Sequence, residues 1–423
     1  MCVSMGIRRI FTLKKVLLTV VFSIAVIAIN YLRPESFQRN DVENNIGLIH
    51  HVVKKYDTKT NLKISNGPKE ILIFGELRMM KTWSELSSMI DCFKDPKTKS
   101  LRNCSVFCPL YNESISLTLG IAADYGGKDA IVFGISPFTL RRYHKEVFKQ
   151  FPPNVLTVFY SMESPYRVSK WIWPIPTGRY HVTMTYLTAS NITIPYSYYK
   201  PFAEETVSEN RNFAKGKTKL IAWMGSNCRE VFWPRLEFIK QLQAHISIDM
   251  YGKCGNLTCL PRLSEKCVYM LRKYKFYLAF ENSECHEYLT EKMWKTSLAN
   301  EVVPIVYGPS RADYDKFAPP KSYIHVSDFK NVKELADYIE LLDKNDDLYN
   351  SYFDWKTRGR VVNVYPEMQP SYFCEILAFL GKNIPQERKP LSQSVWFNSC
   401  RNPIKKRFNP DKRIRFENWS PWL

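Results

Sequence analysis

The sequence has no internal repeat, no collagen-like glycine period and no coiled-coil heptads, which excludes fibrous and array architectures. It contains no G-x-G-x-x-G and no Walker A stretch, so neither a dinucleotide fingerprint nor a P-loop is supported. It also lacks a complete zinc set. Cys104-x3-Cys108 and Cys254-x4-Cys259 have loosely zinc-like spacing, but no nearby Cys/His pair finishes either site. What remains is ordinary globular material, 45% apolar and 24% charged over 423 residues, long enough for two or three domains.

Residues 16–32 carry no charge, while Arg8, Arg9, Lys14 and Lys15 precede them without a single acid. About 17 apolar residues are just enough to cross a bilayer as a helix. Positive charge on the N-terminal flank holds that flank in the cytosol. The expected layout is therefore a cytosolic tail (1–15), a signal-anchor (16–32) and a polar stem (33–67) ahead of a lumenal, type II domain. The competing reading is a cleaved signal peptide, for which the run is long and lacks an A-x-A site.

Cysteine usage agrees with a lumenal domain. Of 11 cysteines, Cys2 falls on the cytosolic side and ten fall beyond the anchor, an even number in an oxidising compartment. Sequons at Asn103, Asn112, Asn191, Asn256 and Asn418 are candidate glycosylation sites in the same compartment. The net charge of +19 would suit nucleic acid, but a lumenal placement favours an anionic nucleotide-sugar or an acidic membrane surface. The Lys405–Arg415 basic run reads as a solvated surface.

Strand-like runs at 71–74, 130–133 and 155–159 fill the first half. The second half alternates more clearly: strands at 220–224, 247–251, 276–280, 302–307 and 323–326, with helices at 235–245, 291–300 and 331–342. Such alternation predicts parallel sheets covered on both faces. Two such halves fit two Rossmann-like domains facing a cleft, where ligands meet the carboxyl ends of the strands.

Residues just past those ends carry the chemistry. Tyr274-Lys-Phe-Tyr-Leu-Ala-Phe-Glu-Asn-Ser283 is followed by Tyr288-Leu-Thr-Glu-Lys292, which opens a predicted helix. Lys292 and the helix N-terminus suit a pyrophosphate, and Glu291 and Tyr288 suit sugar hydroxyls. This stretch resembles the signature of the α1,3-fucosyltransferases, glycosyltransferase family 10. The similarity continues through Trp294, Val303–Gly308, Ala318–Ile324, Ala222–Cys228, Asp249–Gly255 and Trp355. It is strong over residues 215–360 and patchy over 70–200.

The resemblance implies a GT-B type α/β fold, with an acceptor-side domain over 68–205, a GDP-fucose-binding domain over 206–360 and a tail over 361–423. It implies an inverting transferase that moves L-fucose from GDP-fucose to the 3-hydroxyl of GlcNAc in N-glycan or LacNAc-type acceptors on glycoprotein or glycolipid, in the Golgi membrane. Asn282, Tyr288, Glu291, Lys292 and Arg235 would bind the donor. Glu163, in a strand-ending Glu-Ser-Pro, would be the catalytic base. No metal site and no cofactor are required for binding, and stimulation by Mn or Mg stays open. Asp313-Tyr-Asp315 has a metal-binding spelling but stands where the family has no metal motif. His144, His181 and His286 occupy no family catalytic position and read as structural.

Three departures stand out. The family's M-[TS]-Y-R-R-x-S-D is here Met184-Thr-Tyr-Leu-Thr-Ala-Ser-Asn191, without the arginine pair. Gly134 replaces a common histidine, and Glu301 replaces a usual glycine. Donor residues are kept and acceptor-side residues altered, which leaves as the alternative a non-catalytic Golgi paralogue that binds donor or glycan without turnover.

Overall fold

The strands that read as unbroken apolar runs are those buried on both faces, the condition a parallel sheet covered by helices imposes. In the computed structural model, Ala130–Phe133, Leu156–Ser161, Tyr274–Phe280 and Val303–Tyr307 are buried along their whole length. The structure describes residues 67–80, 87–95, 97–98, 100, 102–121, 124–147, 154–171, 178–206, 211–228, 232–260, 264–365, 368–401 and 421. The expected anchor at 16–32, residues 33–66 of the stem, the 405–415 basic run and Asn418 lie outside them. Among the described residues, no helix is long and apolar enough to cross a membrane.

Residues 61–423 form one unit built on two main sheets. Strands of the first half are β1 (Lys69–Phe74), β2 (Cys104–Cys108), β3 (Glu113–Gly120), β4 (Ala130–Phe133), β5 (Leu156–Ser161), β6 (Arg179–Tyr180), β7 (Val182–Thr185), β8 (Ile192–Thr193) and β9 (Ser197–Pro201). Seven of them make a sheet in the order β2-β3-β1-β4-β5-β7-β8, parallel except for the β2–β3 hairpin at its edge. The second half supplies β10 (Lys219–Met224), β11 (Ile248–Tyr251), β12 (Tyr274–Phe280), β13 (Val303–Tyr307) and β14 (Ile324–His325). These form an all-parallel sheet in the order β11-β10-β12-β13-β14. In both, the order reverses beside the first strand, which opens a crevice at the carboxyl ends there. In the second sheet that crevice lies between β10 and β12.

The second sheet packs Trp223, Phe276, Phe280 and Ile305 against helix residues Phe238, Ile239, Leu335 and Ile339 in one apolar cluster. The chain then returns to the first half. β15 (Gly359–Asn363) pairs with β9, and β16 (Lys389–Pro390) pairs with β6. Disulfides join Cys92–Cys104, Cys108–Cys374, Cys228–Cys254, Cys259–Cys267 and Cys285–Cys400, so all ten cysteines after Cys2 are paired. The two zinc-like spacings are thereby split, each cysteine bonding elsewhere.

The helix expected over 291–300 takes a wider form. Lys292–Ser297 is a π-helix, closed by a 3₁₀ turn over Leu298–Asn300. Side-chain donors serve the carbonyls that this widening releases. Ser297 Oγ donates to Lys292 O at 2.8 Å, and Asn300 Nδ2 donates to Lys295 O and Thr296 O at 3.0 Å each. π-turns gather at functional sites, and this one opens with Lys292.

Glu301 ends that helix in the left-handed region, φ 57°, ψ 42°, where glycine meets no Cβ penalty. Its carboxylate compensates by binding Arg211 (2.9 and 2.5 Å) and Lys356 (2.7 Å). Burial pushes the carboxyl up, but Lys356 and Arg211 overrule it and hold it below its ordinary value of 4.5. In urea denaturation, Glu301→Gly should exceed Glu301→Ala in stability by about 1 kcal/mol, since both lose the ion pairs but only Ala keeps the backbone strain. The advantage of wild type over Glu301→Gln should be present above pH 4.5 and vanish as the pH falls through the depressed value. A gap unchanged by acid would contradict the ion-pair account.

Candidate active site

β12 ends in a carboxylate with nowhere to reach water. Glu281 is fully buried, its backbone N–H donating to Tyr307 O at 2.9 Å and its carbonyl accepting Trp233 Nε1 at 2.8 Å. A side chain at Gly308 would have its Cβ 2.7 Å from Glu281 Cβ, and Gly308 also has φ +142°, so the Val303–Gly308 segment closes on Glu281 only with glycine there. The Glu281 carboxylate accepts Thr290 N (2.8 Å) and Thr290 Oγ1 (2.8 Å), and takes Lys292 Nζ at 2.8 Å. Lys292 also donates to Thr290 Oγ1 at 2.7 Å and lies 3.4 Å from Glu291. Burial alone would lower the lysine's pKa, but Glu281 and Glu291 outweigh it and hold it above the usual lysine range.

Arg235 lies across the switch point rather than above it. Its guanidinium donates to Phe280 O at 3.0 Å and Asn227 O at 3.1 Å, and stacks over the Trp223 ring at 5.4 Å. It thus stitches the carboxyl ends of β10 and β12 together, and burial lowers its pKa to about 10, where it stays charged at neutral pH. Asn282 is half-buried next to Glu281, its side-chain oxygen accepting Ser283 Oγ at 2.7 Å.

Glu163 follows β5 on the facing sheet. Ser161 Oγ fixes the turn, accepting Glu163 N and donating to Glu163 O, both at 3.1 Å. Tyr288 Oη crosses from the second half and donates to Glu163 Oε2 at 2.9 Å. Tyr288 is itself clamped between Tyr186 and Tyr196, with ring centroids 5.0 and 6.1 Å away, and Tyr196 donates to Met162 O. Burial raises the pKa of Glu163 above the usual carboxylate range, opposed by Arg167, the Tyr288 hydrogen bond and Lys292.

Further contacts lock the two halves. Ser164 and Ser283, both fully buried, share a hydroxyl hydrogen bond of 2.7 Å. Tyr166 stacks on Phe232 at 4.9 Å. Thr188 donates from N and Oγ1 to Glu287 at 2.6 and 2.7 Å, and Lys316 reaches the same carboxylate at 2.7 Å. Of the residues singled out in the sequence, Glu163, Tyr288, Glu291 and Lys292 are brought together; Asn282 lies alongside and Arg235 beneath. Glu281, Ser164, Ser283, Thr188, Glu287 and Lys316 were not singled out. Glu281 stood inside the motif, but its burial, which gives it weight, is a tertiary property.

The remaining candidates have local roles. Asp313 closes a capping box with Ser310, and Asp315 accepts Tyr323 Oη at 2.6 Å. His181 Nδ1 accepts Thr157 N at 3.0 Å, and His286 is exposed, 3.5 Å from Asp313. The side chain of His144 lies outside the described residues. Among the described residues, no group of three or more His, Cys, Asp or Glu could hold a metal ion. Asn103, Asn112, Asn191 and Asn256 are all exposed. Two departures acquire causes. At Gly134, φ is +106° and a Cβ would sit 2.1 Å from Tyr160 O, so no histidine fits this backbone. The altered 187–191 segment forms the Thr188–Glu287 clasp, while Asn191 Oδ1 caps Thr183 N at 2.9 Å on the outer edge.

Known proteins similar to this chain include fucosyltransferases. Residues 214–394 match the model of the glycosyltransferase family 10 (fucosyltransferase) C-terminal domain. Glycoprotein 3-alpha-L-fucosyltransferase A of Drosophila melanogaster is 40% identical over 238 residues, covering 56% of this chain and 45% of that protein. A 3-galactosyl-N-acetylglucosaminide 4-alpha-L-fucosyltransferase of Bos taurus is 41% identical over 256 residues, 58% of this chain and 64% of that one. The chain thus spans about half to under two thirds of the length of these relatives. A solved α1,3-fucosyltransferase with GDP-fucose superposes at TM-score 0.46 and 17% identity, over 78% of this chain and 94% of that one. Over residues 214–394 the chain is thus similar to the C-terminal domain of glycosyltransferase family 10, the fucosyltransferases.

Proposed function

We propose that the chain is an inverting α1,3-fucosyltransferase with a GT-B type arrangement, moving L-fucose from GDP-fucose to the 3-hydroxyl of a GlcNAc on an N-glycan or LacNAc-type acceptor. The observation that carries the reading is the Tyr288–Glu163 hydrogen bond of 2.9 Å, because it sets the carboxylate of one sheet against the cationic crevice of the other. Lys292 supplies the charge a diphosphate needs, and Asn282, Glu291 and Tyr288 stand in the same 281–292 segment. Arg235 acts from below as a fixed positive charge beneath the crevice floor.

In the reaction, Glu163 accepts the proton of the acceptor hydroxyl as that oxygen bonds to the fucose C1. The bond from C1 to the β-phosphate oxygen breaks, and its electron pair leaves with GDP. Lys292 meets the negative charge that develops on the leaving diphosphate, the usual site of electrostatic catalysis. Burial supports Glu163 in the role of base, since a raised pKa brings its basicity toward the working pH. The names of the relatives, glycoprotein 3-α-L-fucosyltransferase among them, support fucose as the sugar transferred and the same reaction class. We also propose a type II Golgi anchor at 16–32, on its uncharged run and basic flank.

The following outcomes are expected. Lys292→Ala should weaken GDP binding in calorimetry by about 1.5–3 kcal/mol, the scale of a hydrogen bond to a charged group; unchanged affinity removes Lys292 from the donor site. Glu163→Gln should lower kcat by about 10²–10⁴-fold with GDP affinity retained. Wild-type kcat should also fall on the acid side as Glu163 gains its proton, at a pH above 4.5, and the variant's residual rate should lack that limb. GDP release with a panel of acceptors distinguishes this enzyme from a donor-binding protein without turnover. In sealed microsomes, protease should spare the C-terminal domain until detergent is added; digestion without detergent would reject the anchor.

A further inference from the structure

The donor-site reading leaves one group without a task. Glu281 is fully buried at the carboxyl end of β12, in the crevice where ligands of such sheets bind. A buried ion pair is a poor stabiliser, and well-packed apolar residues of similar volume often serve as well or better. A charged pair placed here therefore calls for a reason other than stability. Its geometry supplies one. Thr290 Oγ1 contacts both Glu281 oxygens at 2.8 Å and accepts Lys292 Nζ at 2.7 Å, while Lys292 Nζ meets Glu281 Oε2 at 2.8 Å. Glu281, Thr290 and Lys292 form a closed triangle. An ammonium has three N–H donors. Two are taken by Glu281 and Thr290, and the third faces Glu291 at a long 3.4 Å. The lysine side chain is 21% exposed while its partner Glu281 is 0% exposed, so the anchor lies deeper than the lysine it holds.

We propose that Glu281 is a positioning residue that fixes the Lys292 ammonium in advance for the diphosphate of a nucleoside diphosphate. The proposal rests on the donor-site reading and gives that site its pre-organisation. Freed of its anchor, a four-carbon lysine stem would have to be ordered by the ligand, at a cost in affinity. The same anchor governs charge. The groups that face Lys292 are Glu281 after β12, Glu291 in its own segment, Arg235 from the helix at 235–243 and Glu163 from the loop after β5. Burial and Arg235 push toward the neutral amine; Glu281 and Glu291 override them. Without Glu281 the balance shifts toward deprotonation, so a variant should lose its cation at alkaline pH where wild type keeps it.

The test is calorimetry of GDP with the full chain at pH 7 and pH 9, for wild type, Glu281→Gln, Thr290→Val, Lys292→Met and the Glu281→Gln/Lys292→Met double variant. Wild type should bind GDP about equally at both pH values. Glu281→Gln should bind about tenfold more weakly at pH 7, the factor that 1.4 kcal/mol represents, and lose more by pH 9. Thr290→Val, which removes only the bridging hydroxyl, should weaken binding in the same direction by a smaller factor, and carries the test if Glu281→Gln does not fold. In the Lys292→Met background, Glu281→Gln should cost nothing further, because its effect runs through the lysine. Wild-type affinity at both pH values in either Glu281→Gln or Thr290→Val overturns the proposal. So does a loss of equal size in the Lys292→Met background, which marks a merely structural carboxylate. Absence of GDP binding by wild type itself would overturn the donor-site reading and this proposal with it, a result distinct from the others.

Discussion

Burying a carboxylate at the end of a parallel strand is costly unless it is paired and hydrogen-bonded, and much of this molecule is arranged around the Glu281–Lys292 pair. Glycine at 308 lets β13's exit close over Glu281, and Trp233 ties down its carbonyl. Thr290 donates to the same carboxylate from N and Oγ1. Those constraints fix both ends of the 281–292 loop, and its middle then projects toward the first half. From there Tyr288 reaches Glu163 and Glu287 reaches Thr188. Removing one partner would leave a buried charge uncompensated, a far larger disturbance than the pair's net contribution to stability.

The two halves meet through polar contacts of defined direction as well as through the aromatic contacts of Tyr166 with Phe232 and of Tyr288 with Tyr186 and Tyr196. The buried Ser164–Ser283 bond, the Tyr288–Glu163 bond and the Thr188–Glu287–Lys316 clasp all join them. The returning C-terminal segment reinforces the same loop. His286 N donates to Ser399 O and Arg401 N to Glu284 O, both at 2.8 Å, next to the Cys285–Cys400 disulfide. The loop that carries Tyr288 is therefore braced from the first half and from the chain's end at once.

Much of the parallel-sheet framework can be read from the sequence because doubly covered strands are continuous apolar runs: 276–280 and 302–307 overlap β12 and β13 closely. The β2–β3 hairpin is less legible, since β2 alternates between buried and exposed positions at a sheet edge and offers no apolar run. The π-turn at 292–297 is illegible too: a helical pattern does not reveal that Ser297 and Asn300 will bind carbonyls of the turn before them. At the site, motif spelling points to Glu163, Tyr288, Glu291 and Lys292, and the structure gathers them. It gives no hint of the Thr188–Glu287 contact, whose partners are 99 positions apart. Gly134 and Glu301 are visible in the sequence as departures, yet only backbone angles explain them, a left-handed turn against Tyr160 O in one and an ion-paired left-handed cap in the other.

The central claim is that the crevice between β10 and β12, with Lys292 fixed at its edge, is where the diphosphate of the donor lies, opposite Glu163. A crystal structure of the chain with GDP tests it most directly. The account predicts a diphosphate oxygen within hydrogen-bonding distance of Lys292 Nζ, the Glu281–Lys292 contact retained, and the Glu163 carboxylate facing the terminal phosphate. Ordered GDP bound away from this crevice, or in it with Lys292 turned from the diphosphate, would contradict the account.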